Sequence, residues 1–295
     1  MVGLHRHGHE HGHDDSDQES GFGVESLRNN DLLYADVYRQ VIDWLALPFG
    51  ASVLEAGSGA GGFTSLLADA VALGGGKVTA LDESREMLDS TRDLVQQGGH
   101  GELVSYQQGD IGSLPFESGL FDLAWASRAV HHVPDQLAGV KELARVVAPG
   151  GRLVLREGII GTRFLPDDIG LGAPGLEDRL NVGWHRWFTS NVRAGNVRYP
   201  FGWTQMLVEA GLSDVTAKTF MLEALSPFTD FQIAYMGRHL RRWVEDDKRK
   251  AMLDADDVSV LTALTDPASD AYVFKRSDLY LQEMVTVYVG TARQQ

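Results

Sequence analysis

From residue 52 to residue 157 two hydrophobic periods alternate. Short apolar runs at 52–56, 77–82, 102–108, 121–126 and 151–157 read as buried strands, while 61–72, 84–97 and 135–147 carry apolar residues at helical spacing. Phe63, Leu66, Leu67, Ala70 and Val71 form one such stripe. Val140, Leu143, Ala144 and Val147 form another, which Pro149-Gly150-Gly151 stops. Alternation of this kind predicts an α/β fold with a parallel sheet covered on both faces. Ahead of it, Leu33, Val37, Val41 and Leu45 give 31–44 the spacing of a helix. Beyond residue 157 the pattern loosens. Residues 158–199 are rich in Gly, Pro and aromatics and read as a lid; 200–210 reads as a helix, 215–222 as a strand and 280–290 as a last strand. Between these strands, 228–268 is amphipathic and highly charged, and its run Arg241 to Lys250 reads as a solvated helix face. The predicted organisation is a polar tail over 1–22, a ligand-binding core over 23–157, and lid insertions with two further strands over 158–295.

The chemistry concentrates where the first strand ends. Residues 53–62 read Val-Leu-Glu-Ala-Gly-Ser-Gly-Ala-Gly-Gly, a strand that delivers Glu55 and then a backbone with almost no side chains. Gly57, Gly59 and Gly61 let the main chain turn sharply and approach a ligand. Gly57, Gly59 and Gly62 also satisfy the G-x-G-x-x-G pattern of dinucleotide sites. A pyrophosphate, however, wants free amides and positive charge, and this turn has a carboxylate beside it and no Lys or Arg within it. The expected ligand is cationic and poor in phosphate. Asp82 ends the second strand, suitably placed for ribose hydroxyls. Asp110 follows the third, where it can accept from an adenine amine while Ile111 and Met87 sandwich the base. Tyr34 and Tyr38 can close over that ligand or pack between helices.

These segments resemble the class I S-adenosylmethionine-dependent methyltransferases, in particular the small-molecule branch. The resemblance rests on Val53 to Gly62, Ala80-Leu-Asp-Glu-Ser-Arg-Glu-Met-Leu88, Gly109-Asp-Ile-Gly-Ser-Leu-Pro-Phe116, Phe121 to Asp135 and Ala148 to Glu157. It implies a Rossmann-like, seven-stranded, mostly parallel sheet flanked by helices, with an N-terminal helical cover and helical or aromatic lid insertions. The last strand would then run antiparallel beside the 215–222 strand. It further implies S-adenosyl-L-methionine as cofactor and methyl transfer to a small organic acceptor at O, N or C. Tyr34, Glu55, Gly57, Ser58, Gly59, Gly61, Asp82, Glu83, Met87, Gly109, Asp110, Ile111 and the Ser127 carbonyl would surround the cofactor. Glu55 and Ser58 stand where many relatives carry Asp and Cys.

Composition narrows the partners. With 41 acidic against 26 basic residues the net charge is −15, which opposes extended contact with nucleic acid. No apolar run approaches the roughly 20 residues of a membrane span. There is no Cys, hence no disulfide, thiolate metal site or cysteine nucleophile. The N-terminus shows no signal or transit pattern, which makes the cytoplasm the expected location. His5, His7, His9, His11 and His13 alternate and could chelate a metal, but a polar tail accounts for them as well, and no functional metal site is assigned. Self-association stays open.

Methyl transfer from a sulfonium needs mainly positioning, plus removal of a proton when the nucleophile is O or C. His131, His132 and His185 are the candidate bases and Glu157 the acidic alternative; the His131-His132 pair can equally order its loop. Arg128, Trp184, Trp187, Arg193, Tyr199 and Trp203 are the candidate substrate contacts, being aromatic faces with cationic groups between them. Three alternatives remain at this level. They are the same fold and cofactor with non-methylating chemistry (cyclisation, decarboxylation or hydroxylation), a nicotinamide-dependent oxidoreductase, and a metal-binding protein led by its histidine tail.

Overall fold

Seven strands form one sheet: β1 (Ser52–Ala56), β2 (Lys77–Asp82), β3 (Val104–Gln108), β4 (Phe121–Ser127), β5 (Val147–Arg156), β6 (Ser213–Leu225) and β7 (Tyr280–Thr291). Their order across this computed structural model is β3-β2-β1-β4-β5-β7-β6. The first five run parallel, and β7 lies antiparallel between β5 and β6. The architecture is Rossmann-like, and the order reverses between β1 and β4, where open α/β sheets place their ligands. The structure describes residues 23–158 and 161–294; the histidine tail lies outside them.

Both faces of the sheet are covered. On one, the helices α1 (Val24–Leu45), α2 (Gly62–Ala72) and α3 (Arg85–Gln97) pack on Val53, Val78 and Trp125. On the other, α4 (Gln136–Val146) and α6 (Trp203–Glu209) pack on Leu54, Leu81, Ala124 and Leu153. Helix starts carry their own caps: Ser84 accepts from the Met87 amide and Asp135 from the Ala138 amide. α2 has no such side chain at its N-cap, Gly61, and Asp31 of α1 instead accepts from the Gly62 amide at 3.0 Å.

Between β5 and β6 lies α5 (Leu176–Asn191), a 16-residue helix in the stretch expected to be a lid rich in Gly and Pro. α7 (Asp230–Glu245), α8 (Asp247–Lys250) and α9 (Ala255–Thr265) make up the second insertion. The expectation of a solvated face over 241–250 needs correction. Trp243 is fully buried, and the Arg249 guanidinium lies 4.2 Å over the Trp187 ring, so this run packs against α5. α1 also begins at Val24, seven residues before the predicted start.

Glu177 fixes the first turn of α5, accepting from the Phe164 and Leu165 amides at 2.8 and 3.2 Å. Burial raises its pKa to about 7 from an ordinary 4.5, against the pull of those amides. A carboxyl whose folded pKa is raised favours the fold most when protonated. Its contribution is therefore complete below about pH 4.5 and is lost as pH rises through about 7. Glu177→Gln should flatten the fall in melting temperature between about pH 5 and pH 8. A calorimetric profile parallel to that of the parent would refute this.

Candidate active site

The glycine turn after β1 is fixed from every side. Gly57 and Ser58 donate their amides to the Leu81 carbonyl at 2.7 and 3.0 Å, and Gly61 donates to the Ser58 carbonyl at 3.1 Å. The Gly59 amide donates to Asp82 Oδ2 at 2.9 Å and the Gly62 amide to Asp31 Oδ2 at 3.0 Å. Thr91 and Ser90 of α3 complete the clamp by donating to the Gly59 and Ala60 carbonyls at 3.0 and 3.2 Å. These five amides already have acceptors within the protein, leaving none of them for a pyrophosphate. Gly57, Gly59 and Gly61 are left-handed, with φ of +82°, +53° and +95°.

Three carboxylates surround that turn. Glu55 is buried at the end of β1 and accepts from Thr64 Oγ1. Burial pushes its pKa well above the ordinary range, with further contributions from the Asp31 and Asp82 charges. Burial likewise raises Asp82, and it raises Asp31 to about 6. No salt bridge reaches any of the three among the described residues. A cation placed among them would relieve the cost of burying their charge. At the next strand ends, Asp82 Oδ1 accepts from the Ser84 amide, and Asp110 Oδ1 accepts from the Gly112 amide at 2.7 Å. Each carboxylate keeps free lone pairs. Met87 and Ile111 are half-buried on adjacent elements, and Glu83 is exposed.

A second group of residues follows β4 and β5. Glu157 is buried and accepts from the Ala129 and Val130 amides at 3.0 and 2.8 Å through one oxygen, while the other meets His131 Nδ1 at 2.8 Å. Glu157 thus shapes the loop after β4 and orients the His131 ring, so the acidic alternative to the histidine is already committed. His132 is exposed, yet its ring leans on that of His131 at 4.2 Å. Desolvation, then the neighbouring His131, lowers its pKa to about 4, which makes it a weak base. His185 points to solvent from α5 and has no hydrogen-bond partner among the described residues.

A cavity opens beside Glu157. Its lining includes Arg128 and Arg156 from the strand ends, Trp184 from α5, and Tyr235, His239 and Arg242 from α7, with Glu283 from β7. Of the predicted substrate contacts, only Arg128 and Trp184 line it. Trp187 is buried under Arg249. Arg193, Tyr199 and Trp203 line a separate hollow beside Gln136. There Arg193 donates to Gln136 Oε1 at 2.7 Å and Tyr199 to Asp135 Oδ1 at 2.6 Å, contacts that tie the 192–202 loop to α4. Tyr34 turns its hydroxyl to Glu283, 2.6 Å away, and Tyr38 accepts from Arg156 at 3.0 Å. Ser127 is half-buried at the end of β4, and Gly109 is half-buried after β3. The sequence reading missed Asp31, Arg156, Tyr235, His239, Arg242 and Glu283. The helical stripe around Asp31 and the acid within a strand at Glu283 were visible signals, but nothing in the sequence says what they face.

Residues 54–155 match the family described as methyltransferase domain. The chain is 33% identical over 130 residues to methyltransferase GfsG of Streptomyces halstedii, covering 44% of this chain and 45% of that protein. It is 32% identical over 142 residues to the demethylmenaquinone methyltransferase of Lactococcus lactis, covering 48% of this chain and 54% of that protein. The chain thus spans about half the length of these curated relatives. The crystal structure of the YcgJ protein from Bacillus subtilis superposes with a TM-score of 0.52 at 21% identity, over 88% of this chain and 98% of that one, which shows the shared fold.

Proposed function

We propose, from the premise that residues 54–155 form a methyltransferase domain of the class I S-adenosylmethionine-dependent family, that this chain transfers a methyl group from S-adenosylmethionine to a small organic acceptor. One observation carries the choice of ligand: an acid-ringed glycine turn in which the amides of Gly57, Ser58, Gly59, Gly61 and Gly62 are already paired within the protein. It favours a cationic nucleoside over a pyrophosphate coenzyme. The turn itself is closely packed, since a Cβ on Gly57 would stand 2.8 Å from Ala129 Cβ and one on Gly61 would stand 2.6 Å from Thr91 Cα. Only bare backbone passes there.

When bound, the sulfonium supplies a methyl carbon already activated for in-line attack. Glu55 and the turn would hold the methionine end, Asp82 the ribose, and Asp110 with Ile111 and Met87 the adenine. His131, held by Glu157 at Nδ1, would take the acceptor's proton at Nε2. His131→Ala should lower kcat by about 10²-fold or more and leave cofactor affinity within about twofold. Added imidazole should restore part of the rate. An unchanged kcat would remove the base from the mechanism.

Among the described residues no helix is long and apolar enough to cross a membrane. We place the enzyme in the cytoplasm, acting on a small-molecule acceptor.

The deciding experiment is calorimetry with S-adenosylhomocysteine, S-adenosylmethionine and NADH on the full chain. Saturable heat with the two sulfur nucleosides and none with NADH is expected; the reverse would reject the reading. Mass spectrometry of a turned-over acceptor then separates methyl transfer, which adds one methyl and consumes cofactor stoichiometrically, from chemistry that leaves the cofactor intact.

A further inference from the structure

The cavity beside Glu157 holds more positive charge than its walls balance. Arg128, Arg156 and Arg242 line it together with two carboxylates, Glu157 and Glu283. Neither carboxylate is free. Glu157 is taken up by two backbone amides and His131, and Glu283 accepts from Tyr34, Tyr235 and Thr162 while standing 3.7 Å from Arg156. Arg128 and Arg242 remain, and neither meets a carboxylate among the described residues. This concentration of cations belongs to a chain whose net charge is −15.

Arg242 is held in a manner that suits a ligand. Its guanidinium stacks on the Trp184 ring at 4.8 Å, Nη2 donates to His239 Nδ1 at 2.9 Å, and Nε is buried without any acceptor. Burial, then the neighbouring Arg242, lowers the pKa of His239 well below the ordinary imidazole range. The imidazole is therefore neutral and cancels none of the charge. Burial lowers the pKa of Arg242 to about 10 even though Tyr235 and Glu283 pull it upward, which marks a guanidinium largely withdrawn from water with no carboxylate in direct contact. Arg128 is a non-glycine residue in the left-handed region, φ +52°, pinned there by its amide donating to the Arg156 carbonyl at 2.9 Å. That backbone conformation is unfavourable for a side-chain-bearing residue, and it brings this arginine to the cavity wall.

We infer that the cavity holds an oxyanion of the acceptor, a carboxylate or a phosphate, between Arg128 and Arg242, the latter held in place by the Trp184 ring. The inference deepens the methyl-transfer reading, on which it rests, by naming the acceptor's class: an anionic small molecule whose charged end is anchored here, next to the Glu157 that holds His131. Planar donor forks recognise carboxylate and phosphate alike.

The test is calorimetric titration of the full chain saturated with S-adenosylhomocysteine, using benzoate, phenyl phosphate and neutral benzamide as probes. At least one anion should bind about tenfold tighter than benzamide, and the better of the two tells carboxylate from phosphate. Arg242→Gln and Arg128→Gln should each weaken that anion by about tenfold or more while the nucleoside's Kd moves by less than about twofold. Arg128 is exposed, so its variant decides the matter if Arg242→Gln fails to fold. Equal binding of benzamide and the anions, no anion binding at all, or anion binding unaffected in a folded variant would each overturn the proposal. Anion binding by a protein that ignores the nucleoside would keep this subsite and reject the methyl-transfer reading instead.

Discussion

Gly61→Ala is expected to cost about 2–5 kcal/mol of stability and to weaken S-adenosylhomocysteine binding by about 100-fold. Two penalties coincide at this residue. Its φ of +95° is disfavoured for any side chain, and the added Cβ would stand 2.6 Å from Thr91 Cα. Because the obstacle is backbone of α3, no rotamer change relieves it. α3 would have to shift, and Thr91 and Ser90 would release the Gly59 and Ala60 carbonyls as it did. Gly59→Ala provides the internal control. Its φ of +53° suits a side chain better, and its nearest neighbour would be Leu27 Cδ1 at 3.7 Å, so only the conformational cost of about 1–2 kcal/mol applies. Urea unfolding and calorimetry on both variants check the ordering. Equal losses would mean that the turn's fit to α3 does not govern the site.

The contrast between these two glycines also separates what a sequence can reveal from what it cannot. That residues 57–62 turn sharply next to a strand is local information, as are the β1 to β5 strands, whose buried runs repeat within about 30 residues of each other and, except for β4, lead into a glycine or an acid. Which glycine touches α3 is a matter of packing between elements and is silent in the pattern. The missed helix α5 illustrates the same limit. Gly170, Gly172, Pro174 and Gly175 precede it and Gly183 lies within it, all of which argue locally for a loop. Gly183 instead gives the Trp243 ring of α7 room to approach, since a Cβ there would stand 3.1 Å from Trp243 Cη2. The helix is stabilised by a partner about 60 residues downstream, as most amphipathic helices are stabilised by tertiary contact. For the same reason Arg242 and Arg249 read as surface charges. Periodicity places them on a helix, and only the aromatic face of α5 shows that they pack inward.

Glu283→Ala is the second large loss, expected at about 3–5 kcal/mol, because it leaves the buried Arg156 guanidinium without its carboxylate. Glu283 is also the acceptor on which three hydroxyls converge, from Tyr34 of α1 at 2.6 Å, Tyr235 of α7 at 2.9 Å and Thr162 at 2.8 Å. One carboxylate on β7 therefore fastens the N-terminal cover and the α7 lid to the sheet. Glu283→Gln keeps the shape and one acceptor oxygen but not the charge, and should cost less, about 1–3 kcal/mol. The paired change Arg156→Met with Glu283→Leu distinguishes charge from shape. Removing both ions abolishes the unbalanced charge, and the hydroxyls of Tyr235 and Thr162, 2.9 Å apart, can still bond each other. The pair should then recover a large part of what Glu283→Ala loses. Denaturation of these variants and the parent at one pH ranks them directly, and adding the single changes Arg156→Met and Glu283→Leu completes the double-mutant cycle. A double variant no more stable than Glu283→Ala would show that the hydroxyl cluster, rather than the Arg156 charge, is what this carboxylate serves.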